Sequence, residues 1–114
     1  MNPQAQLAEH VADLLVDWGE VRAKRMFGGI GLFRNDRMFG LIFDEQLYFR
    51  VDGAIAKADH ERAFGYQRAG RRIQLPYLRV DAETLESPEA LASQAGAACQ
   101  AAGTKQRTRK GANR

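Results

Sequence analysis

Two histidines, one cysteine and a run of glycines are the residues through which this 114-residue chain could do chemistry. Metal binding needs His, Cys or carboxylates gathered at ligand spacing, and nucleophilic catalysis needs a thiol or hydroxyl beside a base. His10 lies beside an apolar helical stripe with no second ligand in metal spacing, which fits a surface or boundary residue. His60 has Asp59, Glu61 and Arg62 as neighbours, but adjacent residues do not face one another on a helix, so solvated charge is the better reading. Cys99 is the single cysteine, in an Ala-rich stretch; it excludes an internal disulfide, fits a reducing compartment and reads as a packed thiol. Gly28-Gly29-Ile30-Gly31 is the nearest thing to a phosphate cradle, yet it falls within a strand instead of at a strand-to-helix turn. No nucleophile elbow, phosphate loop, Cys-x-x-Cys or His-Glu-x-x-His occurs. The expectation is a non-enzymatic chain with no catalytic residues, no cofactor and no metal.

The other candidate chemistry is charge. The formal net charge is +3, but residues 104–114 hold Lys105, Arg107, Arg109, Lys110 and Arg114 and no acid. Residues 1–103 are left with twelve positive and fourteen negative charges, a net of −2. Nucleic-acid contact, if any, is therefore expected at those five tail cations, unless Arg22, Lys24, Arg25, Arg68, Arg71 and Arg72 cluster in space. No apolar run reaches the ~18 residues of a membrane span, and the N-terminus lacks the basic and apolar parts of a signal peptide, so a cytoplasmic protein is expected.

The elements that must position any site centre on residues 26–51. Three runs rich in Phe, Ile, Leu and Tyr are separated by Arg34-Asn35-Asp36-Arg37 and Asp44-Glu45-Gln46, the pattern of a three-stranded meander. A loop centred on Asn35-Asp36 pairs Ile30 with Leu41, Leu32 with Phe39 and Gly31 with Gly40. Side-chain period two favours a three-residue loop at Asp44-Glu45-Gln46, setting Leu47 beside Phe43 and Phe49 beside Leu41, over a two-residue Glu45-Gln46 loop. One face then carries Met26, Ile30, Leu32, Phe39, Leu41, Phe43, Leu47, Phe49 and Val51 and must lie under helices. The other carries Phe27, Phe33, Met38, Ile42 and Tyr48 around a floor of Gly29, Gly31 and Gly40, with Arg50 beside Gly40. Interior strand glycines signal a bulge or the close approach of another surface, a partner or ligand; they equally fit sheet twist or cover by the same chain.

Around the meander, Asn2-Pro3 starts a helix to Trp18, with Leu7, Val11, Leu14, Leu15 and Trp18 as its stripe and Gly19 as terminator. The segment from Glu20 to Arg25 reads as a solvated connection. Asp52 caps a short helix, two strands surround Ala69-Gly70-Arg71 with Pro76 at an edge or bulge, and Ser87-Pro88-Glu89 opens a last helix that stops at Gly103. The fold class is α+β: a two-layer arrangement with a mainly antiparallel five-stranded sheet, in the order α-β-β-β-α-β-β-α. The domain is residues 1–103, followed by a disordered basic tail over 104–114.

Arg25-Met26-Phe27-Gly28-Gly29-Ile30-Gly31-Leu32-Phe33, then Met38-Phe39-Gly40-Leu41-Ile42, then Leu47-Tyr48-Phe49-Arg50-Val51-Asp52 together resemble the TfoX (Sxy) N-terminal domain family. Phe64-Gly65-Tyr66, the Tyr77 strand and the stretch from Glu83 to Leu91 continue the likeness in order. The resemblance implies a two-layer α/β domain similar to secretion-chaperone-like folds. It also implies a bacterial regulator of competence genes that works as a coactivator with the cyclic-AMP receptor protein. Those regulators carry a second, helical domain, and this chain is expected to represent the N-terminal domain alone. The family has no established catalytic residues to transfer.

Three functions compete. The first is regulatory protein–protein interaction through Phe27, Gly29, Gly31, Phe33, Met38, Gly40, Tyr48 and Arg50, with a protein partner or a second copy as occupant; aromatics, Met and Arg are the types enriched at interfaces. The second is weak, sequence-independent nucleic-acid binding through the tail. The third is a small-molecule pocket or minor enzyme between sheet and helices.

Overall fold

The computed structural model describes residues 2–26 and 28–112, with side chains through residue 103. Helix α1 (Pro3–Leu14) begins where its cap dictates, with the Asn2 side-chain oxygen accepting from the backbone N–H groups of Gln4 at 2.9 Å and Ala5 at 3.4 Å. It ends a turn earlier than expected. Trp18 and Gly19 instead donate back to the Leu15 carbonyl at 2.9 and 3.0 Å, folding the end of the helix into a turn.

Six strands follow, not five: β1 (Arg22–Met26), β2 (Gly29–Arg34), β3 (Arg37–Phe43), β4 (Gln46–Arg50), β5 (Ala63–Arg68) and β6 (Arg71–Arg79). They form one antiparallel sheet in the order β1-β2-β3-β4-β6-β5. The additional strand is β1, which forms where a solvated connection is expected from the charge of residues 20–25. Helix α2 (Gly53–Ala58) lies between β4 and β5, and α3 (Ala82–Leu85) and α4 (Pro88–Ala112) close the chain. The Asp52 side chain caps α2 through the Ala54 N–H at 2.9 Å, and Ser87 Oγ accepts from the Ala90 N–H at 3.2 Å at the start of α4.

Two details of register decide which residues share a face. Near the first hairpin, Phe33 pairs with Met38 and Arg34 with Arg37, but beyond a bulge Leu32 pairs with Gly40, Gly31 with Leu41 and Ile30 with Ile42. Phe39 is the extra residue, and it is fully buried. The second hairpin closes through Asp44 and Glu45, both in the left-handed region (φ 54° and 62°), so Ile42 pairs with Leu47 and Leu41 with Tyr48. Both loops considered from sequence started or ended one residue late. As a result Ile42 and Gly40 belong to the helix-covered face, and Leu41 and Phe43 to the other, the reverse of the expectation.

The main core lies between the sheet and the pair α1 and α4. Val11 of α1 and Leu15 just past its end, Leu91, Ala95 and Ala98 of α4, and Ile30, Leu32, Phe39, Ile42, Leu47 and Phe49 of the sheet are all buried there. Helix α4 does not stop at Gly103. That glycine is buried and packed against β3: a Cβ there would come within 2.6 Å of Arg37 Nη1, so close approach is what it provides. Among the described residues no helix is long and apolar enough to cross a membrane.

Candidate interaction face

The sheet face turned away from α1 and α4 carries its own apolar cluster. Leu41, Phe64 and Tyr77 are buried in it, and Met38, Phe43, Tyr48, Tyr66 and Leu75 pack around them. Along a flat sheet β3 and β5 stand three spacings apart, about 14 Å, yet the rings of Phe43 and Phe64 are 5.2 Å apart, edge to face. Phe64 meets Tyr48 at the same distance and Tyr66 at 6.0 Å. The sheet therefore curls strongly, bringing the edge hairpin over this face.

The curl has a local cause in β6. Ala63 pairs with Leu78 and Gly65 with Gln74, so Leu75, Pro76 and Tyr77 stand opposite Phe64 alone. Pro76, which cannot donate to a ladder, sits in that irregularity, and its carbonyl accepts from the Val51 N–H at 2.9 Å. The expectation of an edge or bulge at Pro76 is met by the bulge.

Tyr77 and Arg50 form the polar part of the cluster. The Tyr77 hydroxyl donates to the Met38 carbonyl at 3.3 Å, and the Arg50 guanidinium carbon lies 5.7 Å from the Tyr77 ring centroid. Burial pushes the Tyr77 hydroxyl pKa up, with nearby Arg50 opposing the rise. Arg50 Nε is buried without a hydrogen-bond partner among the described residues.

The residues expected to form an interaction face divide on this geometry. Phe33, Met38, Tyr48 and Arg50 do share the face, each half-buried, with Phe33 and Met38 directly paired. Gly29 and Gly31 share it too but are buried. The Met26 thioether and the Phe33 ring fill the space a Cβ at Gly31 would take, 3.0 to 3.1 Å away, and a Cβ at Gly29 would fall on the Ile42 carbonyl oxygen. The floor is thus occupied by the chain itself, through side chains and a neighbouring strand. Gly40 lies on the opposite face, where Leu32 and Phe49 surround it. Phe27 lies outside the described residues, as do the side chains of Lys105, Arg107, Arg109 and Lys110 and the whole of Arg114.

The part of this face that stays open is its β1 end. Phe33 borders a hollow of about 330 Å³ shared with Arg22, Lys24 and Asp36. Arg22 pairs with Phe33 and Lys24 with Gly31, so both cations stand on this side of the sheet. Arg22 and Lys24 were missed as face residues because a strand so rich in charge shows no apolar alternation. Among the described residues no group of three or more His, Cys, Asp or Glu side chains could hold a metal ion. Cys99 is half-buried beside Arg34 and Arg37, and burial raises its thiol pKa more than the two cations lower it.

Comparison with known proteins adds to this geometry. The TfoX N-terminal domain profile matches residues 13–102, which take in the whole sheet, α2, α3, the last two residues of α1 and α4 as far as residue 102. The chain belongs to the TfoX N-terminal domain family. Within this TfoX-family chain the described α+β architecture with its antiparallel sheet is thus the domain's own fold. One relative is the DNA transformation protein TfoX1 of Aliivibrio fischeri (strain ATCC 700601 / ES114), 37% identical over 51 residues. That match covers 45% of this chain and 24% of the relative's length.

Proposed function

We propose that this TfoX-family chain is a non-enzymatic bacterial regulatory domain that acts through protein–protein interaction, as a transcriptional coactivator of competence genes. The supporting observation is the open, half-buried Phe33–Met38 pair beside Arg22 and Lys24. An aromatic, a methionine and an arginine in one patch is the composition of an interface core and its rim. The name of the relative from Aliivibrio fischeri, a DNA transformation protein, favours competence as the process.

The partner of first choice is a transcription regulator such as the cyclic-AMP receptor protein. Isothermal titration of the purified receptor, with and without cyclic AMP, into this chain tests it. Binding that weakens about tenfold or more in a folded Phe33→Ala variant supports the reading, by the weight truncated anchor residues carry at interfaces. Absence of binding to the receptor removes that partner, and sedimentation of the chain alone then asks whether a second copy occupies the patch.

A further inference from the structure

β1 is one of the two edge strands of the sheet. Its residues Arg22, Ala23, Lys24 and Arg25 are all exposed, whereas β5 at the other edge begins with the buried Ala63 and Phe64. Among the described residues no hydrogen bond reaches the outward side of β1, and Arg22, Lys24 and Arg25 form no ion pair. A groove of about 320 Å³ runs between this edge and α1, with Ala8, Ala12 and Ala23 as small apolar walls over Ile30, and with Glu9, Lys24 and Arg25 also lining it.

We propose that the outer edge of β1 accepts an extended acidic segment of a protein partner as a seventh antiparallel or parallel strand, with its side chains alternating between acids and small apolar residues. The alternation follows from register. Ala23 pairs with Leu32 of the core face, so a residue opposite Ala23 points toward α1 and the groove, whose alanine walls and Glu9 carboxylate favour an apolar side chain over an acid. Arg22 and Lys24 pair with Phe33 and Gly31 on the opposite face, so the residues beside them meet two unpaired cations. Main-chain hydrogen bonds supply affinity in such strand addition, and the alternate side-chain positions supply specificity.

Cations on an edge strand also repel other edges, and that selects the occupant. A second copy adding edge to edge would set Lys24 against Lys24 or Arg22, a like-charge pairing that disfavours self-association. An acidic segment meets no such penalty.

The inference does not rest on the Phe33–Met38 patch. Its test uses the full chain and fluorescein-labelled peptides alternating glutamate with valine, followed by anisotropy at low salt. Two further peptides carry N-methyl groups on alternate residues, one set in each phase, and another replaces glutamate with lysine. The glutamate peptide should bind, one N-methylated phase should bind about tenfold more weakly while the other is spared, and the lysine peptide should not bind. An Arg22→Glu/Lys24→Glu chain should reverse the preference to the lysine peptide, and Phe33→Ala should leave peptide binding intact. Circular dichroism of these surface variants should match the parent. Equal binding of both N-methylated phases, or no binding of the glutamate peptide, overturns strand addition. A dimer in sedimentation that is lost in the charge-reversed chain assigns the edge to a second copy, and binding of a generic DNA duplex at Arg22 and Lys24 without peptide binding assigns it to phosphates; either overturns the proposal.

Discussion

The guanidinium carbon of Arg34 lies 4.3 Å above the ring of Trp18. Trp18 in turn meets Phe39 edge-on at 5.2 Å, and a Cβ at Gly19 would stand 2.5 Å from Arg34 Nε. One cation over one indole thus joins the turn after α1 to the tip of the β2–β3 hairpin and to the bulge residue of β3. Arg34→Ala should cost about 1 kcal/mol, the scale of a partly desolvated cation–π contact with its packed stem. Urea unfolding followed by Trp18 fluorescence reads both the loss and the change in indole environment, and an unchanged midpoint would show that the stacking contributes nothing.

The strand glycines should separate by what their neighbours can yield. At Gly29 the obstacle to a Cβ is the Ile42 backbone carbonyl, which cannot move without breaking the ladder, so Gly29→Ala should cost about 3 kcal/mol. At Gly31 it is the flexible Met26 thioether, and at Gly40 the Leu32 and Phe49 side chains at 3.3 Å. Gly31→Ala should cost about 1 kcal/mol and Gly40→Ala no more than that. Chemical denaturation of the three variants gives the order directly, and a Gly40 variant as damaged as the Gly29 variant contradicts it.

Glu45 occupies a left-handed conformation at φ 62° that glycine would adopt without steric strain. Its backbone N–H donates to Gln4 Oε1 at 3.5 Å, a contact that does not need the glutamate side chain. Glu45→Gly should therefore stabilise the hairpin by about 0.5 kcal/mol, the relief of strain exceeding the entropy glycine adds to the unfolded chain. A lower thermal midpoint in that variant would contradict the prediction.

High pH should weaken the chain through Tyr77. Its hydroxyl pKa is raised above the ordinary 10.0, chiefly by burial, so the folded state holds this proton more tightly than the unfolded state does. The stabilisation is full below the ordinary value and is lost as pH rises through the folded one. Tyr77→Phe should cost about 1 kcal/mol near neutral pH, from the lost bond to the Met38 carbonyl, and should lessen the alkaline decline. Cys99, raised in the same direction, adds a similar decline from about pH 9, so the comparison belongs in a Cys99→Ala background. Parallel stability curves for the tyrosine and phenylalanine chains would exclude Tyr77 as the source.

Local chemistry made the helix starts legible: Asn2-Pro3, Asp52 and Ser87-Pro88 each cap where the side chain predicts. The apolar stripe through Val11 and Leu15 correctly identified a face that packs on the sheet. Face assignment within the sheet was less legible, because one bulge residue and one turn position each invert the alternation that follows. Phe39 carries no signal that distinguishes an extra residue from an ordinary strand position, and Glu45 is an atypical occupant of a left-handed turn. β1 was hidden because an edge strand need not alternate: its outward cations satisfy water on both sides. The stop expected at Gly103 failed because that glycine serves the approach of Arg37, a tertiary contact that no local rule contains.

The cations beyond residue 103 bear on the second reading, weak nucleic-acid binding, which is compatible with a protein partner on the folded body. The backbone of α4 runs to Ala112, so Lys105, Arg107, Arg109 and Lys110 follow one another along a single helix attached to a body of net −2. Five cations can release counterions from at most about five phosphates, giving a slope of log affinity against log salt no steeper than about −4.5 and no preference among sequences. Anisotropy of a labelled generic duplex, titrated with the full chain and with residues 1–103 at two salt concentrations, measures both quantities. Binding lost on truncation and falling steeply with salt would make the tail the DNA contact. Binding that survives truncation would transfer the contact to Arg22, Lys24 and their neighbours, and a slope near zero would exclude phosphate contact as its basis.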